Sequence, residues 1–231
     1  MVLTVYTMAS TKKTVYLALA DNLFSSPFMI SLLGTVNKMV AENKYHLVIV
    51  PGNSRHPLIA HYNTLGFDPK RGINQKPFNG DEFDYWINVS ANAIFTTDQF
   101  IKLIESLDEH PVVAGVCRME NLESCSYIDS TSGFAKISEF EAWRTANPDK
   151  KYKSVRHSEL KFFGVRREVL EAMKYPHFEC DPILTPGATE GVVVRDILTH
   201  DMAFCRNIKM AGFDILVNTD LLVGHEVKII V

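Results

Sequence analysis

Asp201 stands in the stretch Thr199-His200-Asp201-Met202-Ala203-Phe204-Cys205-Arg206, two residues after a threonine suited to cap a helix. In the first turn of a helix a carboxylate favours the dipole, and that alone would account for an acid here. Phe204, Cys205 and Ile208 follow it by three, four and seven positions, however, so Asp201 shares the apolar side of the predicted helix. An unpaired carboxylate in a core is costly. A cleft is the more economical place for it, and there it can take a proton from a hydroxyl. The stretch Phe83 to Phe95 supplies a second candidate: a buried strand that stops at the small polar cluster Ser90-Ala91-Asn92 before a further apolar run. The third is Gly224-His225, which follows another apolar run. A lone histidine more often serves structure than ligation, but a strand end can approach other strand exits.

The elements that must position these residues alternate in type. Thr14 to Ala20, Tyr45 to Val50, Tyr85 to Val89 and Pro111 to Val116 are short β-rich runs, predicted as buried strands. Between them, Pro27 to Ala41 and Leu58 to Leu65 carry helical spacing, and Thr96-Thr97-Asp98-Gln99 reads as a capping box opening a helix to about Glu109. This order argues for an α/β sheet with at least partly parallel strands. Asp68 to Asp81 reads as a loop, Arg118 to His157 as a long polar, irregular stretch that is either an acceptor-side flap or a surface excursion, and Asp181 to Arg195, with two prolines and two glycines, as a mobile loop. Leu160 to Val165 is predicted as a strand, Arg167 to Met173 as a helix, and Asp201 to Ala211 as a helix stopped by Gly212; Phe213 to Val217 is the last predicted strand. In open α/β sheets ligands bind beyond the carboxyl ends of the strands. Here those exits are Asp21-Asn22, Pro51-Gly52-Asn53 and Ser90-Ala91-Asn92, all small or polar.

Composition narrows the function classes. The chain has 231 residues and a formal net charge of −3, with no basic face or stripe for nucleic acid; the cluster Lys150 to Lys153 reads as a solvated loop. No stretch reaches the roughly 18 to 20 apolar residues of a membrane helix, and the start lacks the pattern of a signal peptide. Cys117, Cys125, Cys180 and Cys205 show no metal-binding spacing and are expected as reduced thiols in a cytoplasmic protein. Asn88-Val89-Ser90 matches a glycosylation acceptor formally, but it lies in a predicted buried strand. The apolar end Val227 to Val231 fits a piece of a longer protein.

Taken together, these residues resemble the GT-A class of glycosyltransferases, close to the family 2-like enzymes of bacteria and large DNA viruses. The matching segments are Leu17 to Asp21, Ala60 to Asn63, Asp84-Tyr85 through Phe95, Ala114 to Cys117, Phe163 to Glu171, His200-Asp201 through Asn218, and Gly224-His225. The resemblance covers nearly the whole chain. It implies a single GT-A-like domain with a central, mostly parallel sheet flanked by helices. A Rossmann-like nucleotide-sugar half would span about 1–117 and an acceptor-side half about 118–231. It also implies transfer of a sugar from a UDP- or GDP-linked donor to a hydroxyl of a glycan or protein. Asp201 would then be the catalytic carboxylate. Ala20, Asp21, Asn22, Asn53, Arg55, Asn63, Ser90, Ala91 and Asn92 would contact the donor, and Asn92 with His225 would hold a divalent cation, manganese or magnesium.

The chain departs from that pattern at two points. Ser90-Ala91-Asn92 stands where the family has an acidic Asp-x-Asp, and His200 replaces the usual Glu before Asp201. Hard cations favour carboxylate oxygens, and Ser and Asn offer only neutral ones. Three readings stay open: a transferase using cations such as Arg55 or Lys228 against the diphosphate, a weakly active or inactive relative that still binds a sugar nucleotide, and a motif altered to trap a substrate. A non-catalytic binding module is thus the alternative function. A nucleotidyltransferase ranks last, because Ala20 to Phe24 has none of the glycines of a phosphate loop.

Overall fold

The computed structural model describes residues 12–20, 23–54, 56–65, 83–119, 121, 123–130, 133–178, 182–186, 193–197 and 199–226. The chain begins with β1 (Thr14–Leu19), α1 (Ser26–Glu42), β2 (His46–Pro51), α2 (Pro57–Thr64), β3 (Tyr85–Val89), β4 (Ala93–Ile94), α3 (Thr97–Glu109) and β5 (Val112–Cys117). It continues with β6 (Ser124–Ser130), β7 (Gly133–Lys136), α4 (Ile137–Ala146), β8 (Tyr152–Val155), β9 (His157–Ser158), β10 (Phe162–Arg166) and α5 (Arg167–Ala172). The last elements are β11 (Pro182–Pro186), β12 (Val193–Ile197), α6 (His200–Met210) and β13 (Ile215–His225).

Local chemistry sets the helix starts. Ser25 Oγ accepts the Phe28 N–H at 3.1 Å and Pro27 sits in the first turn of α1, which ends at Asn43 in the left-handed region (φ 49°). The capping box of α3 is formed as expected: Thr96 Oγ1 accepts the Gln99 N–H, and Gln99 Oε1 accepts the Thr96 N–H. Gly212 follows α6 at φ 90°, a conformation glycine adopts without strain.

An eight-stranded sheet runs β2-β1-β3-β10-β5-β13-β4, with β8 also paired to β13. β1, β2 and β3 are parallel, as are β5 and β13, whereas β10 lies antiparallel between β3 and β5. The result is one mixed α/β sheet in which both parts of the chain interleave. β13 slips register between Asn218 and Leu222, pairing β8 before the slip and β4 after it. Alternation along the strands divides the core. Leu17, Ile87 and Val113 pack with Phe28, Leu32, Phe100 and Leu103 of α1 and α3. Ala18, Trp86 and Ala114 pack on the other face with Phe178 and with Phe204, Cys205 and Ile208 of α6. No helix of the described residues is long and apolar enough to cross a membrane.

Two expected loops contain strands or helices among the described residues. The segment Arg118 to His157, expected to be irregular, contains β6, β7, α4 and β8. Strands β7, β6 and β9 form a three-stranded antiparallel sheet. Its strands carry few apolar residues, and serine hydroxyls hold the backbone instead: Ser126 Oγ accepts the Cys117 N–H at 3.0 Å, and Ser158 Oγ donates to the Ser126 carbonyl at 3.3 Å. Within Asp181 to Arg195, expected as a mobile loop, the backbone enters an antiparallel hairpin from Pro182 opposite Ile197 to Pro186 opposite Val193. Pro is compatible with strand ends and edges. The expected loop Asp68 to Asp81 lies outside the described residues.

Candidate functional site

β1 leads through α1 to β2 on one side of the sheet, while β3 joins β1 on its other side. A sheet of this kind opens a crevice at the exits of the two strands where the order reverses. A cleft of about 150 Å³ sits there, lined by Ala20, His61, Asn88, Ser90, Leu160, Lys161, His200 and Asp201.

Asp201 reaches this cleft from the first turn of α6, where Thr199 Oγ1 accepts the Met202 N–H at 3.3 Å. Its side chain is 22% exposed and is tied by more than the helix dipole. Oδ2 accepts the Leu160 N–H at 3.1 Å, and Oδ1 lies 2.9 Å from His200 Nε2. The Leu160 carbonyl in turn accepts from Asn88 Nδ2, so the backbone of one residue bridges the end of β3 to the start of α6. Burial pushes the Asp201 carboxyl up, but His200, His61 and the Leu160 N–H together outweigh it and leave the group below its ordinary range. The hydrogen bond to Asp201 raises His200 against the opposing effect of its burial.

His61 comes from α2, whose inner face is Ala60, His61, Thr64 and the following Leu65. Trp86 Nε1 donates to Thr64 Oγ1 at 3.2 Å, and that hydroxyl donates to the His61 carbonyl at 2.7 Å, anchoring α2 on β3. The His61 ring is 6% exposed, stacks on Phe178 at 5.2 Å and lies 5.1 Å from the His200 ring. Burial drives its pKa down to about 4, which leaves a neutral imidazole at pH 7.

Of the residues expected at the donor, Ala20 and Ser90 line the cleft with Asp201. Asp21, Asn22 and Arg55 lie outside the described residues, as does Lys228. Asn53 is an exposed turn residue at φ 50°. Asn63 spends its amide on the Gly52 carbonyl at 2.6 Å, bracing α2 against the exit of β2. Ala91 is buried, and its carbonyl takes the Ser25 N–H at 3.1 Å, fixing the start of α1. His61, a single imidazole on a helix of eight residues, carries no motif or spacing in the sequence that marks it. Lys161, held 3.1 Å from Glu159 Oε2, is a cation in the cleft whose only signal was a lysine opening an apolar strand. Among the described residues thiol chemistry has no support: burial pushes Cys117 and Cys205 up to about 12 and Cys125 up to about 11.

The expected cation pair is close in space, since the Glu226 N–H donates to the Asn92 carbonyl at 2.9 Å and His225 lies opposite Ala93. Its donors do not suit manganese or magnesium. Ser90 Oγ donates to Asn92 Oδ1 at 2.7 Å, so the motif's one amide oxygen is already engaged and the motif holds no carboxylate. The cluster of metal-ligating type among the described residues is His61, His200 and Asp201, one ligand atom of each lying within 4.8 Å of the others.

Fold and site together define a single mixed α/β domain with a polar cleft at its strand exits. No family model and no curated protein matches the chain. Among solved structures it is similar to A197 from STIV, with a TM-score of 0.54 and 16% sequence identity over 94% of this chain and 86% of that one. At that identity the likeness is one of fold.

Proposed function

We propose that the protein is a glycosyltransferase of the GT-A kind that holds the reacting end of a sugar nucleotide in the cleft beyond β1 and β3. The observation that carries this reading is Asp201. A carboxylate at a helix start lines the cleft with Oδ2 fixed by a backbone N–H and Oδ1 paired with His200 Nε2, which must give way before Oδ1 takes a proton. The acceptor oxygen attacks the anomeric carbon as the bond to the diphosphate breaks, and the hydroxyl proton passes to Asp201. A depressed pKa keeps Asp201 ionised, and it becomes an effective acceptor as the attacking hydroxyl grows acidic late in the reaction. Lys161 stands on the same cleft as a counter-charge to the leaving diphosphate. The cleft is smaller than the roughly 300 to 1,000 Å³ of a full ligand pocket. The base and ribose of the donor therefore lie along the exits of β1 and β2.

Asp201→Asn keeps the size and the Leu160 contact while removing the base. A drop in turnover of about 10²- to 10⁴-fold with donor affinity nearly unchanged is the expected result. Loss of binding and fold together would assign Asp201 to capping instead. A second reading, a sugar-nucleotide-binding module without turnover, is favoured by the carboxylate-free Ser90-Ala91-Asn92 turn. Under it, donor binds but is neither transferred nor hydrolysed, with or without manganese.

A further inference from the structure

We propose that His61, His200 and Asp201 form a site for one divalent transition-metal ion of the zinc, cobalt or nickel type, distinct from the Ser90-Asn92 position. The geometry is close to closed. His200 Nε2 and Asp201 Oδ1 are 2.9 Å apart, and all three ligand atoms fall within 4.8 Å of one another. A tetrahedral zinc with bonds of about 2.0 to 2.1 Å holds its ligands about 3.3 Å apart, so side-chain movements of about an ångström complete the set.

The cleft also holds buried polar atoms that ask for a partner. His61 is 6% exposed and Asn88 4%, and neither His61 Nδ1 nor Asn88 Oδ1 has a hydrogen-bond partner among the described residues. Buried polar groups left so are costly, and an ion or ordered water is the usual remedy. The supporting contacts a metal site needs are already present. Leu160 N–H fixes Asp201 Oδ2, Asn88 fixes the Leu160 carbonyl, and Phe178 stacks on His61. Two imidazoles and one carboxylate suit zinc, cobalt or nickel, whereas magnesium and calcium ask for a shell of oxygens. The remaining cleft volume leaves a fourth position for water or a substrate oxygen.

The site does not depend on the transferase reading. Zinc there engages Asp201 Oδ1, the same atom proposed to receive the acceptor proton, so the ion and that proton compete. The test uses the full chain, stripped with a chelator and titrated calorimetrically with zinc chloride, then with magnesium chloride. Cobalt(II) serves as a spectroscopic probe. One equivalent of zinc, a visible cobalt band of tetrahedral type and no response to magnesium are expected. His200→Ala and Asp201→Asn should each lower zinc affinity by at least about 10- to 100-fold, with melting in chelator little changed as the control for folding. His61→Ala serves as a third variant, and if it does not fold the other two decide. Absence of saturable zinc binding, or zinc binding unchanged in both His200→Ala and Asp201→Asn, would overturn the site. Zinc binding without affinity for any sugar nucleotide would refute the transferase reading and leave the metal site standing.

Discussion

Asp201 owes its position to a short relay: Asn88 to the Leu160 carbonyl, and the Leu160 N–H to the carboxylate. Periodicity marked Asp201 because the helix stripe beneath it was strongly apolar. His61 and Lys161 escaped the same reading, since one imidazole on a short helix and one lysine at a strand start carry no periodic signal. Tertiary approach alone makes them neighbours of Asp201. Histidines also set the pH response of the fold. His177 is buried, and that burial drives its pKa from 6.5 down to about 4 despite an opposing backbone hydrogen bond with Leu170. Between those values the unfolded chain binds a proton that the folded one refuses, so stability rises with pH through this window and is lost as pH falls from about 6.5 towards 4. The slope from one such group approaches about 1.4 kcal/mol per pH unit. His61 and His157, also lowered to about 4 by burial, act in the same direction. Urea midpoints measured across this range should show the slope, and His177→Gln should remove part of it. An unchanged slope would mean that His177 is not buried as a neutral group.

At the scale of elements, α3 shows how a local signal gains tertiary weight. Its capping box was legible from Thr96 and Gln99 alone. The structure adds that Gln99 Nε2 donates to the Leu222 carbonyl at 2.7 Å, coupling the cap to β13 just past its register slip. Thr96→Ala should destabilise the protein by about 1 kcal/mol, read as a shift of the urea midpoint at constant slope. Gln99→Ala should cost more, because it loses the second contact as well. Equal effects would deny the link to β13. Most of the sheet was legible for the same reason as the cap: β1, β3 and β5 are nearly continuous apolar runs. β6, β7 and β9 were not, because hydroxyls such as Ser126 and Ser158 take places where an apolar alternation would have announced a strand. In the hairpin of β11 and β12, Pro and Gly drew the reading to a loop, although Val192-Val193-Val194 is a β-branched run.

At the scale of the molecule, the earlier and later halves of the chain share one sheet. β10, from the later half, sits between β3 and β5 of the earlier one, and β13 extends the sheet beyond β5. Neither half closes a core alone, so unfolding should be a single transition. The two tryptophans report on opposite halves: Trp86 is in the core of β3, and Trp143 is on α4, where Lys153 Nζ lies 5.0 Å from its ring centre. Single-tryptophan variants should give coincident urea midpoints that match far-ultraviolet dichroism, and two separated midpoints would show separable units. The sheet order, with its reversal at β1 and β3, also places the cleft and so underlies the functional proposal. The measurement that tests that proposal most directly is calorimetric titration of the protein with UDP, GDP and a panel of their sugars, each with and without manganese. Saturable binding to at least one sugar nucleotide, little changed by manganese because Ser90 and Asn92 offer no carboxylate, is the expected result. Failure to bind any of them would contradict the assignment of this cleft to a sugar-nucleotide donor.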